Sequence, residues 1–153
     1  MTTSSRIIAQ NKKARYDYQI LDTFEAGIVL LGSEVKSCRQ GSMSLMDSYA
    51  RIEKDEIFLV NAHISPYKFA NQFNHDPLRK RKLLFHRLEI RKFYGKLREK
   101  GQSLIPLKVY FNNRGKVKIE LALAKGKKNY DRREDIKKRD MKRDTEKELK
   151  YRR

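Results

Sequence analysis

Leu104-Ile-Pro-Leu-Lys-Val-Tyr-Phe-Asn-Asn-Arg-Gly-Lys-Val-Lys-Ile-Glu-Leu-Ala-Leu123 reads as a β-hairpin. Ile105, Leu107, Val109 and Phe111 alternate with other residues. Val117, Ile119, Leu121 and Leu123 alternate with Lys116, Lys118 and Glu120. This is the period-two sign of strands with one buried face. Asn112 to Gly115 supply the turn, with glycine where a positive φ is wanted. Pro106 has no N–H for a ladder, so its strand should lie at an edge or start with a bulge.

Upstream the same period recurs. Tyr16, Tyr18 and Ile20 alternate with polar residues over 16–24, Glu25-Ala26-Gly27 reads as a bend, and Ile28 to Leu31 as a second strand. Gly32-Ser33 offers an N-cap for a short helix through Arg39, closed by Gly41. Residues 49–53 and 56–64 flank a Lys54-Asp55 turn as a central hairpin, and 65–80, with Pro66 and Pro77, reads as a surface loop. On a helical wheel, residues 83–97 place Leu83, His86, Ile90, Phe93, Tyr94 and Leu97 in one stripe, with Arg87, Arg91, Lys92, Lys96, Arg98 and Lys100 behind. Gly101 ends that helix. About six antiparallel strands with short helices predict an all-β core with peripheral helices, folded as a small closed antiparallel β-barrel, because closure removes sheet edges.

Charge divides the chain differently. Of its 153 residues, 125–153 carry fourteen Lys/Arg against seven Asp/Glu, net +7, and 1–124 carry twenty-three against twelve, net +11. A pI near 10.1 with both parts basic points to a polyanion, most simply nucleic acid. We therefore divide the chain into a β-barrel RNA-binding domain, 1–124, and a basic C-terminal tail, 125–153. In the tail, Asp131 and Glu134 form a helix-starting pair, and Glu134/Lys138, Asp135/Arg139 and Glu146/Lys150 fall at i,i+4, each worth about 0.2–0.5 kcal/mol. Its apolar residues, Tyr130, Ile136, Met141, Leu149 and Tyr151, form no tight stripe. Ordering a residue costs roughly 1–2 kcal/mol of backbone entropy, so the tail is expected to be disordered when free and helical when docked on phosphate.

Cys38 is the single cysteine, which excludes an internal disulfide and a cysteine-built zinc site. Ile28 to Leu31 is the longest aliphatic run, too short for a signal or a span. A soluble cytoplasmic protein without a membrane role is expected. His63, His75 and His86 lack metal-motif spacing, no glycine loop cradles phosphate, and no metal or cofactor is expected. Asp17, Asp22 and Glu25 could face a metal as in a nuclease, but solvent-facing carboxylates on a strand explain them better. Basic and aromatic residues interleave at Arg15-Tyr16, Tyr67-Lys68-Phe69, Phe73-Asn74-His75, Phe85-His86-Arg87 and Lys92-Phe93-Tyr94, a combination suited to phosphate and unpaired bases. If the helix reaches back to Leu84, that leucine leaves the apolar stripe and stands beside Arg91 and Arg98, where it could pack on sugar or base.

Several stretches, taken in order, resemble the SsrA-binding protein (small protein B) family. They are Asn11-Lys-Lys-Ala-Arg, Phe24-Glu-Ala-Gly, Gly32-Ser-Glu-Val-Lys-Ser, Asp47-Ser-Tyr, His63-Ile-Ser-Pro-Tyr, His75-Asp-Pro-Leu-Arg-Lys-Arg-Lys-Leu-Leu, Ile105-Pro-Leu-Lys-Val-Tyr-Phe and Ala124-Lys-Gly-Lys-Lys-Asn-Tyr-Asp-Arg-Arg. The resemblance implies a barrel with partial OB-fold likeness that clasps the tRNA-like domain of transfer-messenger RNA. It implies a non-catalytic, monomeric adaptor, delivered with elongation factor Tu to stalled 70S ribosomes for trans-translation, the rescue of ribosomes whose message lacks a stop codon. The tail would enter the vacant mRNA channel at the decoding centre and fold there. By position, the RNA-binding residues would be Asn11, Lys12, Glu25, Lys36 and Leu84, to which the basic back of the helix adds Arg91. The decoding-centre segment would be Lys125, Gly126, Lys127, Lys128, Tyr130, Asp131, Arg132 and Arg133. Tyr130 stands where some relatives have histidine; it keeps the ring for stacking and lacks the proton histidine can take near neutral pH. A general basic RNA- or ribosome-associated protein is the main alternative to an adaptor.

A peptide of residues 125–153 should gain helicity by circular dichroism when RNA is added. An unchanged spectrum would contradict the reading of the tail.

Overall fold

The computed structural model describes residues 6–70, 74–98, 101–127 and 129–151. In chain order its first elements are β1 (Arg6–Gln10), α1 (Ala14–Asp17), β2 (Tyr18–Ile28), α2 (Gly32–Arg39), β3 (Met43–Ser44) and β4 (Tyr49–Glu53). There follow β5 (Glu56–Val60), β6 (His63–Ile64), β7 (Arg81–Leu84), α3 (Arg87–Leu97), β8 (Gln102–Phe111), β9 (Val117–Gly126) and α4 (Asn129–Tyr151).

The hairpin quoted above is β8–β9, and it is longer than its alternation indicated. β9 pairs on its other side with β2, and the order β8-β4-β5-β7-β2-β9 returns to β8 through the hairpin, closing a ring of six antiparallel strands. Closure leaves no free edge within the ring, as the strand count had suggested. β1 adds to the far end of β8 outside the ring, and β3–β6 form a separate two-stranded sheet. The core holds Ile57, Leu59, Leu83, Leu104, Val109, Ile119 and Leu121, all buried. Phe93 of α3 closes one end, edge-on to Phe24 at 4.6 Å and to Phe85 at 5.2 Å.

Pro106 sits at a bulge, not at an edge: β8 is flanked by β9 on one side and by β4 and β1 on the other, and its register slips between Pro106 and Lys108. The slip divides the apolar set that reads as one face. Val109 and Phe111 enter the barrel, whereas Ile105 and Leu107 join Ala14, Ala122 and Ala124 in a second cluster beneath α1. Bulges re-aim side chains in this way, and alternation alone does not show them.

Four further expectations change. Tyr16 lies in the short helix α1, and Tyr18 to Ile28 run as one strand through Glu25-Ala26-Gly27, without a bend, because β9 pairs with β2 along nearly its whole length. Residues 83–84 belong to β7, and α3 starts only at Arg87, after an extended His86. β7 fills the gap between β5 and β2, and Arg81 to Leu84 alternate inward and outward as a strand does, so pairing overrides the helical wheel. Tyr94, expected in the core, is half exposed with Arg98 over its ring at 4.6 Å. Finally, α4 begins at Asn129, so Asp131 lies in its first turn and does not precede it as an N-cap.

The Lys54-Asp55 hairpin forms, both turn residues taking positive φ (48° and 62°), but its second strand stops at Val60 and not at residue 64, because Asn61 at φ 63° turns the chain and His63–Ile64 pair with β3 instead. Helix α2 has the expected span, with Leu31 at its N-cap and Gly41 at φ +72° beyond its end. The reason the loop 65–80 keeps its course lies in a buried ion cluster. Glu34 of α2 and Arg81 of β7 are both fully buried and bonded to each other, while Arg79 Nη2 reaches the other Glu34 oxygen at 2.6 Å. The Leu31 N–H donates to the same carboxylate at 2.8 Å, and Arg81 spends its remaining donors on the carbonyls of Ala62 (2.7 Å) and Pro77 (3.2 Å). His75, also buried, bridges Ser33 and the Ile64 carbonyl at 2.9 Å each. Since a carbonyl only accepts, Nε2 carries the proton and Nδ1 accepts from the Ser33 hydroxyl.

Burial pushes the Glu34 carboxyl upward, but the hydrogen bonds from Arg79, Leu31 and Arg81 and the charge of Arg81 outweigh it, leaving it below the ordinary carboxylate range. Its contribution is therefore complete above the unfolded-state value and fades as pH falls through the depressed folded value. Glu34→Ala leaves the buried Arg81 without a counter-charge and should cost about 3–5 kcal/mol in urea unfolding at neutral pH. The wild type should also lose more stability than the variant on acidification. A loss below about 1 kcal/mol, the scale of a surface pair, would contradict this role.

Candidate nucleic-acid interface

Pairing registers place the outward side chains of four strands in rows. Leu84 of β7 is opposite Gly27 of β2, which is opposite Lys118 of β9, which is opposite Tyr110 of β8. The next row runs from Glu25 to Glu120 to Lys108. Gly27 has a specific reason to lack a side chain: a Cβ there would lie 3.1 Å from Leu84 Cδ1. Leu84 therefore lies down across β2 while remaining 54 % exposed. An isobutyl group that rests over Gly27 and stays open to solvent is not part of the core.

Beside it lies a cleft of about 830 Å³ between β7 and α3, lined by Lys54, Glu56, Lys82, Leu84, Arg87 and Arg91. The structure thus brings Leu84 and Arg91 together, although Leu84 stands on a strand and not on the helix. Arg98, expected beside them, instead stacks on Tyr94 next to a different groove. Lys82 is held by Glu56 at 2.9 Å. Arg87 and Arg91 are exposed on α3 and make no ion pair with a carboxylate among the described residues.

Glu25 is exposed on the same outer face, two residues from Gly27, and its Oε2 accepts a hydrogen bond from the Tyr110 hydroxyl. Burial first, then this bond and the charges of Glu25 and Glu120, push the Tyr110 phenol above its ordinary range, so it remains a donor. Glu120 is held separately by Lys108 Nζ at 3.3 Å. Sequence reading missed Tyr110, because a tyrosine between Val109 and Phe111 carries no local sign of its partner on β2.

Asn11 and Lys12 follow β1 and line a second groove, of about 680 Å³, together with Met43, Met46, Asp47 and Tyr49. Lys12 is exposed, whereas the Asn11 side chain donates to the Pro106 carbonyl at 3.2 Å and its N–H to Leu107 at 2.8 Å. Asn11 thus secures the bulge of β8. Lys36 is exposed on α2, with its ammonium 5.5 Å from the centre of the Tyr67 ring. The six expected contacts therefore fall in three places: Glu25, Leu84 and Arg91; Asn11 and Lys12; and Lys36.

In the tail segment, Lys125 and Gly126 are the last residues of β9, opposite Gln19 and Tyr18. The Lys127 N–H donates to the Asp17 carbonyl at 3.0 Å, while its Nζ bonds the Arg15 carbonyl at 2.9 Å and pairs with Asp135. The bond from Lys127 holds the Asp135 carboxyl below its usual range. Arg133 is exposed. Lys128 and the side chains of Tyr130, Asp131 and Arg132 lie outside the described residues. Arg139 stands 5.7 Å over Tyr16 of α1, and every residue from Ile136 to Tyr151 is exposed. Among the described residues no group of three or more His, Cys, Asp or Glu could hold a metal ion, and no helix is long and apolar enough to cross a membrane.

The chain is similar to known proteins over nearly its whole length. The family model described as SmpB protein matches residues 8–151. The SsrA-binding protein of Symbiobacterium thermophilum is 60 % identical over 145 residues, 95 % of this chain and 92 % of its own length. That of Bacillus subtilis is 57 % identical over 143 residues, covering 94 % and 91 %. A solved structure, described as tmRNA–SmpB on a journey to the center of the bacterial ribosome, superposes with a TM-score of 0.66 at 52 % identity, over 78 % of this chain and 84 % of that one. With a match that runs from β1 to the end of α4, the chain belongs to the SmpB family.

Proposed function

We propose that this protein is an RNA-binding adaptor for ribosome rescue. Its barrel clasps the tRNA-like domain of transfer-messenger RNA, and the pair travels with elongation factor Tu to ribosomes stalled on a message without a stop codon. The observation that carries the reading is the solvent-open Leu84 laid across Gly27, with Glu25 and Arg91 beside it, in a chain 52 % identical to the protein of the tmRNA–SmpB structure. Cations give affinity for any phosphate backbone. A leucine and a carboxylate add nothing for phosphate and discriminate in favour of sugar and base edges.

The tail performs the second task. From Ile136 onward every residue of α4 is exposed, so its helix is held by its own backbone bonds rather than by a core. Such a helix is marginal in water and gains from a polyanionic cavity. In this reading it enters the empty mRNA channel beyond the decoding centre, Lys127 acting as the joint between barrel and tail, and orders there. The protein acts as a monomer in the cytoplasm, without catalysis or cofactor.

A generic basic RNA-associated protein is separated from this adaptor by salt. Phosphate-only binding through 6–10 contacts falls roughly 10³–10⁵-fold between 50 and 200 mM salt, whereas a dedicated clasp should keep its preference for the structured RNA over bulk tRNA. Leu84→Ala and Glu25→Ala should each weaken capture of the tRNA-like domain about tenfold, near 1.4 kcal/mol. Truncation after Lys128 should leave capture intact and abolish rescue of stalled ribosomes in a reconstituted translation assay. Loss of capture on that truncation would overturn the division of labour.

A further inference from the structure

Resting on the reading that Glu25 faces RNA, we propose that Tyr110 is the positioning residue that makes Glu25 a selector for hydrogen-bond donors on base or ribose edges. Glu25 and Glu120 are direct cross-strand partners on β2 and β9, a juxtaposition of like charges that is unfavourable unless each has a partner. Strand β8 supplies two different ones: Lys108 reaches Glu120 at 3.3 Å, and the Tyr110 hydroxyl reaches Glu25.

The difference has a chemical consequence. A lysine on Glu25 would cancel its charge and cover it, as Lys108 does for Glu120. A phenol is neutral, so it orients the carboxylate and leaves its charge in place. Tyr110 is suited to this, because it is only 9 % exposed and the Lys108 ammonium lies 5.4 Å from its ring centre, which holds the ring against the sheet. Oε2 is taken by Tyr110, and Oε1 accepts no hydrogen bond among the described residues. What such an oxygen takes is an exocyclic amine, a ring imino N–H or a 2′-hydroxyl, and what it repels is phosphate. In a protein of net charge +18, a fixed negative point beside Leu84 penalises any polyanion that brings phosphate there. Register, and so which part of the RNA faces the barrel, is then set at this point.

The test is a double-mutant cycle in the full-length protein with Tyr110→Phe, Glu25→Gln and both. Affinity is read for a transcript of the tRNA-like domain and for inorganic polyphosphate, which offers phosphate without base or ribose donors, and melting temperature is recorded for each variant. Tyr110→Phe should weaken the structured transcript about tenfold, leave polyphosphate affinity unchanged with the protein still folded at the assay temperature, and add nothing to the loss of transcript affinity in Glu25→Gln. Wild-type affinity in Tyr110→Phe with loss in Glu25→Gln would overturn the positioning role and leave Glu25 at the interface. Silence of both single variants would remove Glu25 from the interface and the proposal with it. Parallel loss for both ligands, or additive losses in the double variant, would make Tyr110 a merely structural residue.

Discussion

A carboxylate buried between two arginines holds this molecule in register. Glu34 is 0 % exposed, and a charge in that position is tolerable only because Arg79, Arg81 and the Leu31 N–H converge on it. The cluster ties α2 to β7 across the loop between them, and Arg81 extends it to the carbonyls of Ala62 and Pro77. Its consequence is positional. Arg81 points inward and fixes the phase of β7, so Leu84, three residues on, points outward over Gly27. A slip of one residue would bury Leu84 and expose Leu83.

From that phase the outer face follows. β2 and β9 contribute Glu25 and Glu120 side by side, β8 answers with Tyr110 and Lys108, and α3 sets Arg87 and Arg91 along the adjoining cleft. The face combines the aliphatic Leu84, the carboxylate of Glu25 and the cations Arg87 and Arg91. In the proposed reading the cations bring the RNA and the other two decide which RNA stays. A uniformly basic surface would bind more and distinguish less.

Much of this was legible in the sequence, and the exceptions have physical causes. Alternation over 104–123 located the hairpin, and closure followed from the strand count. The bulge at Pro106 was missed in part, since proline signals a lost donor but not which side chains change face. The stretch 83–86 was misread because Leu83 and His86 fall on one helical stripe with Ile90 and Phe93, and only the vacancy between β5 and β2 decides for a strand. Glu34–Arg81 and Glu25–Tyr110 join residues 47 and 85 positions apart, and no local pattern carries such pairs. The motifs that gave the resemblance contain all four residues, so sequence marked them without explaining them. Leu84 is the converse case: it was singled out for the right exposure on the wrong element.

The tail completes a molecule of two unlike parts. Lys127 binds two backbone carbonyls beside α1 and the Asp135 carboxylate, and past Arg139 the helix has only itself and water. The central claim is that the barrel is a finished scaffold while the extension completes its ordering on the ribosome. Amide hydrogen exchange of the full-length protein, alone, with the tRNA-like domain and on stalled ribosomes, tests this most directly. The account predicts slow exchange in the six-stranded ring throughout, and fast exchange over 136–151 until the ribosome is added. Strong protection of 136–151 in the protein alone would contradict it.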